Sequence, residues 1–310
     1  MSSRDQTDAS PMEGDKTDAK GGDQTGALPP LPSASGGFGD KLGDKFQNIM
    51  TFEEFTADEY KMDHLNRGLA IVINNEVFSK ELGLGARTGT YQDAVALNER
   101  FEDMGFDVQM HENVPVKEMV QILTKAAKDH NYNMNSDCFV CAILTHGEEG
   151  YVFGVDAKIE TKQLLEPFKG NNCGSLVGKP KIFIIQACQG SQFDEGVAVD
   201  VADAKAKPAR EVQVYKIPSE ADFLIAYSVV PGYFSWRNST NGSWFIQALS
   251  RVLGLHWQDM DLLTIMTRVN KIVAYEFESR TTKEYMNQKK QIPCITSMLT
   301  KEVRFKPKKK

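Results

Sequence analysis

No apolar run in this sequence approaches the ~20 residues that a membrane-spanning helix requires. The opening stretch, MSSRDQTDAS, is polar and acidic and lacks the apolar centre of a secretory signal. Positive charge is not in excess. The net charge of −6 argues against non-specific nucleic-acid binding as the main activity. Cysteine is scarce. The five, Cys138, Cys141, Cys173, Cys188 and Cys294, are odd in number and scattered among apolar residues, so free thiols in a reducing compartment are expected, most simply the cytoplasm. Neither a P-loop nor a GxGxxG fingerprint is present, and no internal repeat. One CxxC pair occurs, Cys138 and Cys141. Positions three apart in a strand face opposite sides, and no second pair has ligand spacing, so packed thiols are expected and no metal. Nothing in the chain calls for a cofactor.

What is there reads as a soluble globular chain, 41% hydrophobic and 25% charged over 310 residues, enough for one large domain or two small ones. Residues 1–50 are rich in Gly, Asp, Ser, Thr and Pro, have no apolar periodicity, and read as a short disordered segment. From about residue 60 strands and helices alternate. GLAIVIN (68–74), FDVQMH (106–111), CFVCAILT (138–145), KIFIIQAC (181–188), DFLIAYSVV (222–230) and IPCITSML (292–299) read as strands. The continuous apolar runs at 138–145 and 181–188 are those of strands covered on both faces. Helices are expected at 88–105, 114–130, 160–168, 241–255 and 259–277, with Thr90 as N-cap, Gly105 as a stop and Pro115 in a first turn. This order predicts an α/β sandwich of about six mostly parallel strands and about five helices. A second structureless stretch, about 190–215, interrupts it, and a linker that long inside a compact domain is functional or disordered.

In open parallel sheets ligands collect beyond the carboxyl ends of the strands. Cys188 ends one expected buried strand, and THGEEG (145–150) follows another, which brings His146 to the same edge. A thiolate attacks carbonyls well, and an imidazole can protonate a leaving amine near neutral pH. Gly147 leaves its N–H unobstructed, and with the Cys188 N–H it could form a two-donor oxyanion hole. Taken singly, a cysteine after an apolar strand is more often a small buried hydrophobe, and a histidine beside glycine a turn residue. Their convergence on one edge favours chemistry.

The segment QACQG (186–190) matches the known caspase signature Q-A-C-[RQG]-G, a family pattern that spacing alone does not establish. LTHGEEG resembles the family's histidine motif, RTGTYQDAVAL the segment of its first pocket arginine, FSWRNSTNGSWFIQAL its substrate loop, and KQIPCITSMLTKE its dimer-interface strand. The resemblance runs over about residues 58–305 and implies a caspase-like three-layer sandwich. The short polar tail resembles that of executioner caspases. By this resemblance, the chain is a cysteine endopeptidase that cuts after Asp, with Cys188 and His146 catalytic and Gly147 supplying an oxyanion N–H. Arg87 and Arg237 match the pocket arginines and Gln186 the accompanying amide. Guanidinium suits the task because it binds carboxylates in a bidentate manner. Phe234, Trp236 and Trp244 match the apolar subsite walls, although an aromatic inside a helix such as SWFIQAL usually serves the core. Ser235 supplies main-chain hydrogen bonds to an extended substrate. Asn238 matches a position that helps hold an acid four places before the cut, which implies DxxD sites. Phe234 departs from the usual tyrosine, and the loop 279–291 aligns poorly, which weakens the DxxD inference more than the Asp preference.

The resemblance also implies a zymogen: prodomain 1–50, large-subunit region 58–200, processing linker 190–215, and small-subunit region 216–310. Asp200 matches the linker cut, with Asp203 and Asp194 nearby, and Asp8 and Asp18 stand before alanine in the tail. Implied partners are protein substrates, a second copy joined through IPCITSML, an upstream initiator caspase and inhibitor-of-apoptosis proteins. No nucleic acid or membrane is expected. The rival is a catalytically weak, caspase-like regulatory protein, which would be signalled by loss of Cys188, His146 or a pocket arginine; all are present. The basic end, RFKPKKK, reads as solvated. An Asp200→Ala, Asp203→Ala double variant should remain a single chain on expression, checked by gel; normal two-chain processing refutes the linker assignment.

Overall fold

A computed structural model describes residues 5–7, 51–194 and 218–308. In chain order its elements are β1 (Asp5–Thr7), α1 (Phe52–Thr56), β2 (Leu69–Asn74), α2 (Thr90–Asp103), β3 (Asp107–Glu112), α3 (Val116–Lys128), α4 (His130–Met134), β4 (Phe139–Leu144), β5 (Gly147–Glu148), β6 (Tyr151–Phe153), β7 (Lys158–Glu160), α5 (Thr161–Leu165), β8 (Lys181–Gln186), β9 (Phe223–Tyr227), β10 (Trp236–Asn238), β11 (Gly242–Ser243), α6 (Trp244–His256), α7 (Leu262–Glu276) and β12 (Cys294–Ser297). Six strands form one sheet in the order β12-β9-β8-β4-β2-β3. The four ladders from β3 to β9 are parallel, and β12 runs antiparallel to β9. All six expected strands are in this sheet, and α2, α3, α5, α6 and α7 are the five expected helices.

Strand side chains alternate between faces, so each central strand feeds two cores. Ala70, Val72, Val140, Ala142, Ile182 and Ile184 pack with Leu97 of α2, Phe245 of α6 and Ile265 of α7. Ile71, Ile73, Cys141, Ile143, Phe183 and Ile185 pack with Met119 of α3 and Leu164 of α5. Every residue of β4 and β8 is buried, the apolar runs Phe139–Leu144 and 182–185 together with Lys181 and Gln186 at the two ends of β8. Cys138 and Cys141 fall in different cores as buried free thiols.

Some local expectations change. Gly89, not Thr90, caps α2, with φ of 91°. The Thr90 hydroxyl turns inward instead. It donates to Asn74 Oδ1 at 2.6 Å and accepts from Arg87 at 2.7 Å. Pro115 is the cap of α3, one residue before its first turn. Two small sheets were not expected, β5-β6-β7 and β1-β10-β11. Within the tail read as structureless, residues 5–7 form β1. Asp8, Asp18, Asp200, Asp203 and most of the 190–215 linker lie outside the described residues, whereas Asp194 is described, its carbonyl accepting from the Lys290 N–H at 3.0 Å.

The basic end is anchored as far as it is described. Phe305 is buried, with the Arg67 guanidinium 5.4 Å from its ring centroid. Arg67 pairs at 2.8 Å with Asp137, and both side chains are fully buried. Lys308 joins Asp137 at 2.6 Å, while Arg304 and Lys306 meet Glu59. Asp137 thus compensates two cations that tie the C-terminal segment to the start of β4. Removing one member of a buried pair leaves an uncompensated charge and costs about 3–5 kcal/mol. Asp137→Ala should therefore lower the urea unfolding free energy by about that amount; a change near zero contradicts this account.

Candidate active site

The carboxyl ends of β4 and β8 lie side by side, with Leu144 opposite Gln186. The two loops that leave them carry the candidate chemistry. Thr145 and His146 follow β4, and Gly147 opens β5. Ala187 and Cys188 follow β8. The loops press together so closely that a Cβ on Gly147 would lie 2.6 Å from the Cys188 carbonyl oxygen and 2.7 Å from Ala187 Cβ. Only glycine fits there without displacing backbone. Gly190 is confined in the same way. Its φ is 154°, and a Cβ would lie 2.4 Å from the Gly232 carbonyl. That contact lets residues 189–192 pair with 232–234, through Gln189 N–H to Tyr233 O at 3.0 Å and Phe234 N–H to Gln192 O at 2.9 Å.

The Cys188 thiol is buried and accepts from the Ser235 N–H at 3.2 Å. Burial pushes its pKa up to about 12, against smaller opposing effects from that N–H and the Arg87 charge. The thiol therefore holds its proton at neutral pH. His146 is also buried, and its Nε2 lies 2.7 Å from the Gly85 carbonyl oxygen, which assigns the Nε2 proton. Its Nδ1 is buried with no hydrogen-bond partner among the described residues. Burial, aided by the Arg87 charge, lowers the imidazole pKa to about 4. The pair rests as neutral thiol and neutral imidazole, and no hydrogen bond joins them among the described residues.

Arg87 and Arg237 are 0% and 1% exposed, which is unusual for guanidinium groups. Arg87 donates to the Asn75 carbonyl at 3.1 Å and to Thr90 at 2.7 Å. Arg237 donates from Nε to the Thr88 carbonyl at 3.0 Å, one residue from Arg87. Burial lowers their pKa values to about 10 and about 9, so both stay cationic at neutral pH. Gln186 ends β8 and donates to Ser235 Oγ at 2.8 Å, which links it to the segment that touches the thiol. The arginines, Gln186, Ser235 and Cys188 thus share one edge.

The aromatic residues divide. Phe234 is half-buried, with the Phe193 ring 4.4 Å away, and Trp236 is fully buried. Trp244 stands behind Trp236, stacked at 5.7 Å, and stacks in turn on Phe277 at 5.4 Å. Asn238 Oδ1 accepts from the Thr240 and Asn241 N–H groups at 2.9 and 3.0 Å, so its side-chain oxygen closes the β10–β11 turn.

Sequence reasoning missed several contributors. The Gly85 carbonyl orients His146, and a backbone carbonyl leaves no trace in residue type. Asp93 is buried, accepts from the Ser243 N–H at 2.7 Å and faces Arg87, and burial raises its pKa to about 7. In an amphipathic helix the letter alone does not separate a buried aspartate from a solvated one. Gln291 accepts from the Trp236 N–H at 2.7 Å and donates to the Ser228 carbonyl, fixing β10 from the poorly matching loop. Phe193 lies just past the signature, beyond the apolar run that drew attention to it.

This arrangement recurs in known proteins. The family model for the caspase domain matches residues 67–304. Caspase-3 of Bos taurus is 46% identical over 248 residues, 80% of this chain and 88% of that protein. Caspase-7 of Gallus gallus is 45% identical over 248 residues, 80% of each chain. The crystal structure of caspase-1 from Spodoptera frugiperda superposes with a TM-score of 0.75 at 40% identity, over 82% of this chain and 97% of that one. With the match extending from Arg67 through the last strand, and with relatives of the caspase-3 and caspase-7 kind so similar along it, this chain belongs to the caspase family of cysteine peptidases and to its executioner type.

Proposed function

We propose that this caspase, an aspartate-directed cysteine endopeptidase, uses Cys188 as nucleophile and His146 as proton carrier, with Arg87, Gln186 and Arg237 binding the substrate aspartate. The observation that carries the reading is the pair of buried, still-cationic guanidinium groups on the edge that holds the thiol. A carboxylate there gains charge-assisted hydrogen bonds in a site already stripped of water. An uncharged side chain would forgo those charge-assisted hydrogen bonds.

The chemistry follows from the resting protonation. Substrate carbonyl carbon meets Cys188 Sγ, the thiol proton passes to a neutral imidazole, and Nδ1 is the nitrogen with a lone pair to take it. The same proton then leaves with the amine, and a water hydrolyses the thioester. Two N–H groups are suited to the oxyanion. The His146 carbonyl accepts from Phe153, so by the alternation of an antiparallel ladder the Gly147 N–H points away from β6. Among the described residues nothing accepts the Cys188 N–H. Ser235 and the strand around Arg237 offer backbone to an extended peptide, with Phe234 and Trp236 as apolar walls and Trp244 as backing. An Asn238 amide donor supports a preference for an acid four places before the cut, hence DxxD-type sites.

The zymogen reading belongs here too, with boundaries at 1–50, 58–200, 190–215 and 216–310 and linker cleavage at Asp200 or Asp203. Dimerisation through β12 is supported by its place at the sheet edge, where Thr296 and Ser297 are exposed. The proposed setting is the cytoplasm. No helix of the described residues is long and apolar enough to cross a membrane. An upstream initiator caspase and inhibitor-of-apoptosis proteins are the proposed regulatory partners.

Peptide reporters ending in Asp, Asn or Ala test the pocket. Asp should be turned over about a hundredfold faster, since charge-assisted hydrogen bonds to a carboxylate in a buried site contribute about 3 kcal/mol. Equal turnover of Asp and Ala reporters sinks the pocket, and Cys188→Ala should abolish all turnover.

Acid titration tests the state of His146. Its pKa falls from 6.5 to about 4 on folding, so unfolding takes up a proton between those values. The resulting stability is complete above about pH 6.5 and is lost as pH falls through about 4. Relative to wild type, His146→Gln should gain thermal stability as pH drops from 7 to 4.5; a difference independent of pH contradicts a neutral buried imidazole.

A further inference from the structure

Among the described residues, the buried charges around the pocket are unequal. Arg87 and Arg237 bring two cations, and Asp93 brings one carboxylate, itself 1% exposed. Asp93 lies in the first turn of α2 and reaches across to β11, where its Oδ1 accepts from the Ser243 N–H at 2.7 Å. Ser243 stands opposite Arg237 in the β10–β11 ladder and is the N-cap residue of α6. The carboxylate thus joins the segment of the first arginine to the strand of the second. The turn closes tightly on it: a Cβ on Gly242 would lie 2.3 Å from Asp93 Oδ1. Its other oxygen, Oδ2, is buried and has no hydrogen-bond partner among the described residues.

A carboxylate that serves only structure in a dry site has both oxygens bonded. Asp93 has one. Arg87 is the charged side chain that acts on it among the described residues. β11 and α6 present the Ser243 N–H. The core faces of β2, β4 and α6 against α2 are apolar, through Ala70, Val72, Val140, Phe245 and Leu249, and β3 adds Val108. The other charges of α2 begin at Glu99, about 9 Å further along the axis. Arg87 in turn is acted on by Glu76 and Cys188, and it acts on His146. By the roles proposed above, one guanidinium is therefore shared between an internal carboxylate and the substrate's. Two anions beside one cation each disfavour the other's ionised state. The substrate aspartate ionises far below neutral pH and keeps its charge. Asp93, already lifted by burial to about 7, is the one that yields.

We propose that Asp93 is a specificity-determining residue: it competes with the substrate aspartate for Arg87, and gives way by taking a proton from solvent as that aspartate binds. This rests on the pocket roles proposed above for Arg87, Gln186 and Arg237. The proton goes to Oδ2, which gives up no hydrogen bond in accepting it, while Oδ1 keeps the Ser243 N–H. No bond of the substrate changes in this step. The occupied pocket then holds two cations, a bound carboxylate and a neutral acid. By linkage, a site that takes up a proton on binding binds more tightly when protons are plentiful. Affinity for aspartate is therefore greatest below about pH 6 and falls as pH rises through about 7, where Asp93 ionises and reclaims Arg87. A substrate with asparagine at the same place has no charge to compete and shows no such dependence.

Two measurements test this. The first titrates the full-length Cys188→Ala chain, with and without Asp93→Asn, with a capped fluorescent peptide, Asp-Ala-Ala-Asp. The range is about pH 5.5 to about pH 8, where the peptide carboxylates and both arginines keep their charge. Loss of the thiol prevents turnover, and asparagine keeps an oxygen for the Ser243 N–H. With Asp93 present the dissociation constant should rise about threefold to tenfold across the range, since one pKa unit of coupling is tenfold. With Asp93→Asn it should stay flat. An equal rise in both chains assigns the proton to another group, and no rise in either leaves no proton to assign; each overturns the proposal. The second measurement needs no change at Asp93. Calorimetry of the same binding at pH 7 in phosphate and in Tris, buffers of different protonation enthalpy, counts the protons exchanged. Net uptake is expected, and zero exchange or release overturns the proposal. A matching peptide, Asp-Ala-Ala-Asn, separates the two readings. If it binds the Cys188→Ala chain at low pH as tightly as the Asp peptide, the pocket roles fail, and this proposal with them. If the Asp peptide binds more tightly but equally at every pH, this proposal fails alone.

Discussion

Two guanidinium groups are kept charged out of water at one edge of a parallel sheet, and much of that edge is organised around this constraint. Burial alone would drive Arg87 and Arg237 toward neutrality. The Asn75 and Thr88 carbonyls, the Thr90 hydroxyl and the charge of Asp93 act against that, and both groups remain cationic at neutral pH. The Arg87 charge reaches the proposed proton carrier and nucleophile. It opposes protonation of His146, and it favours the Cys188 thiolate without overcoming the burial that keeps the thiol protonated. In the proposed mechanism the pocket and the chemistry are therefore electrostatically joined. A bound carboxylate would offset the charge that now holds the imidazole neutral.

The sheet explains how distant residues meet. β4 and β8 are adjacent parallel strands, so their carboxyl ends deliver His146 and Cys188 to one place without sequence proximity. Glycine sets how near the loops can come, since Gly147 and Gly190 stand where any side chain would meet backbone. In the proposed function β10 is the strand that recognises substrate. It is fixed from behind by Gln291 and by the stack of Trp236, Trp244 and Phe277. Its outer edge is taken by the chain's own N-terminal strand.

Much of this was legible in the letters. Continuous apolar runs marked β4 and the centre of β8, residues 182–185, because burial on both faces selects apolar residues; the buried Lys181 and Gln186 at the ends of β8 are the exceptions. Helical periodicity marked α2, α3, α6 and α7 for the corresponding reason. The antiparallel direction of β12 was not legible, because a short apolar strand reads the same in either direction. Strands of two or three residues, such as β5 and β11, carry no periodicity at all. Thr90 looked like a cap because caps and buried hydroxyls share a residue type; Gly89 took the cap, which freed Thr90 to face Arg87. For the site, Cys188, His146, Arg87, Gln186 and Arg237 stood out by type and motif. Asp93, Gln291 and the Gly85 carbonyl did not, since each acts by orienting another group through a contact that only the folded chain creates.

The central claim is that buried positive charge selects the substrate carboxylate. Its most direct measurement is the ratio of kcat/KM for Asp and Asn reporters in an Arg87→Gln chain whose fold is verified by its thermal transition. The account predicts that the ratio collapses by about a hundredfold or more relative to wild type, because the carboxylate loses a charged partner in a dry site. A ratio left at the wild-type value, with activity intact, would contradict it.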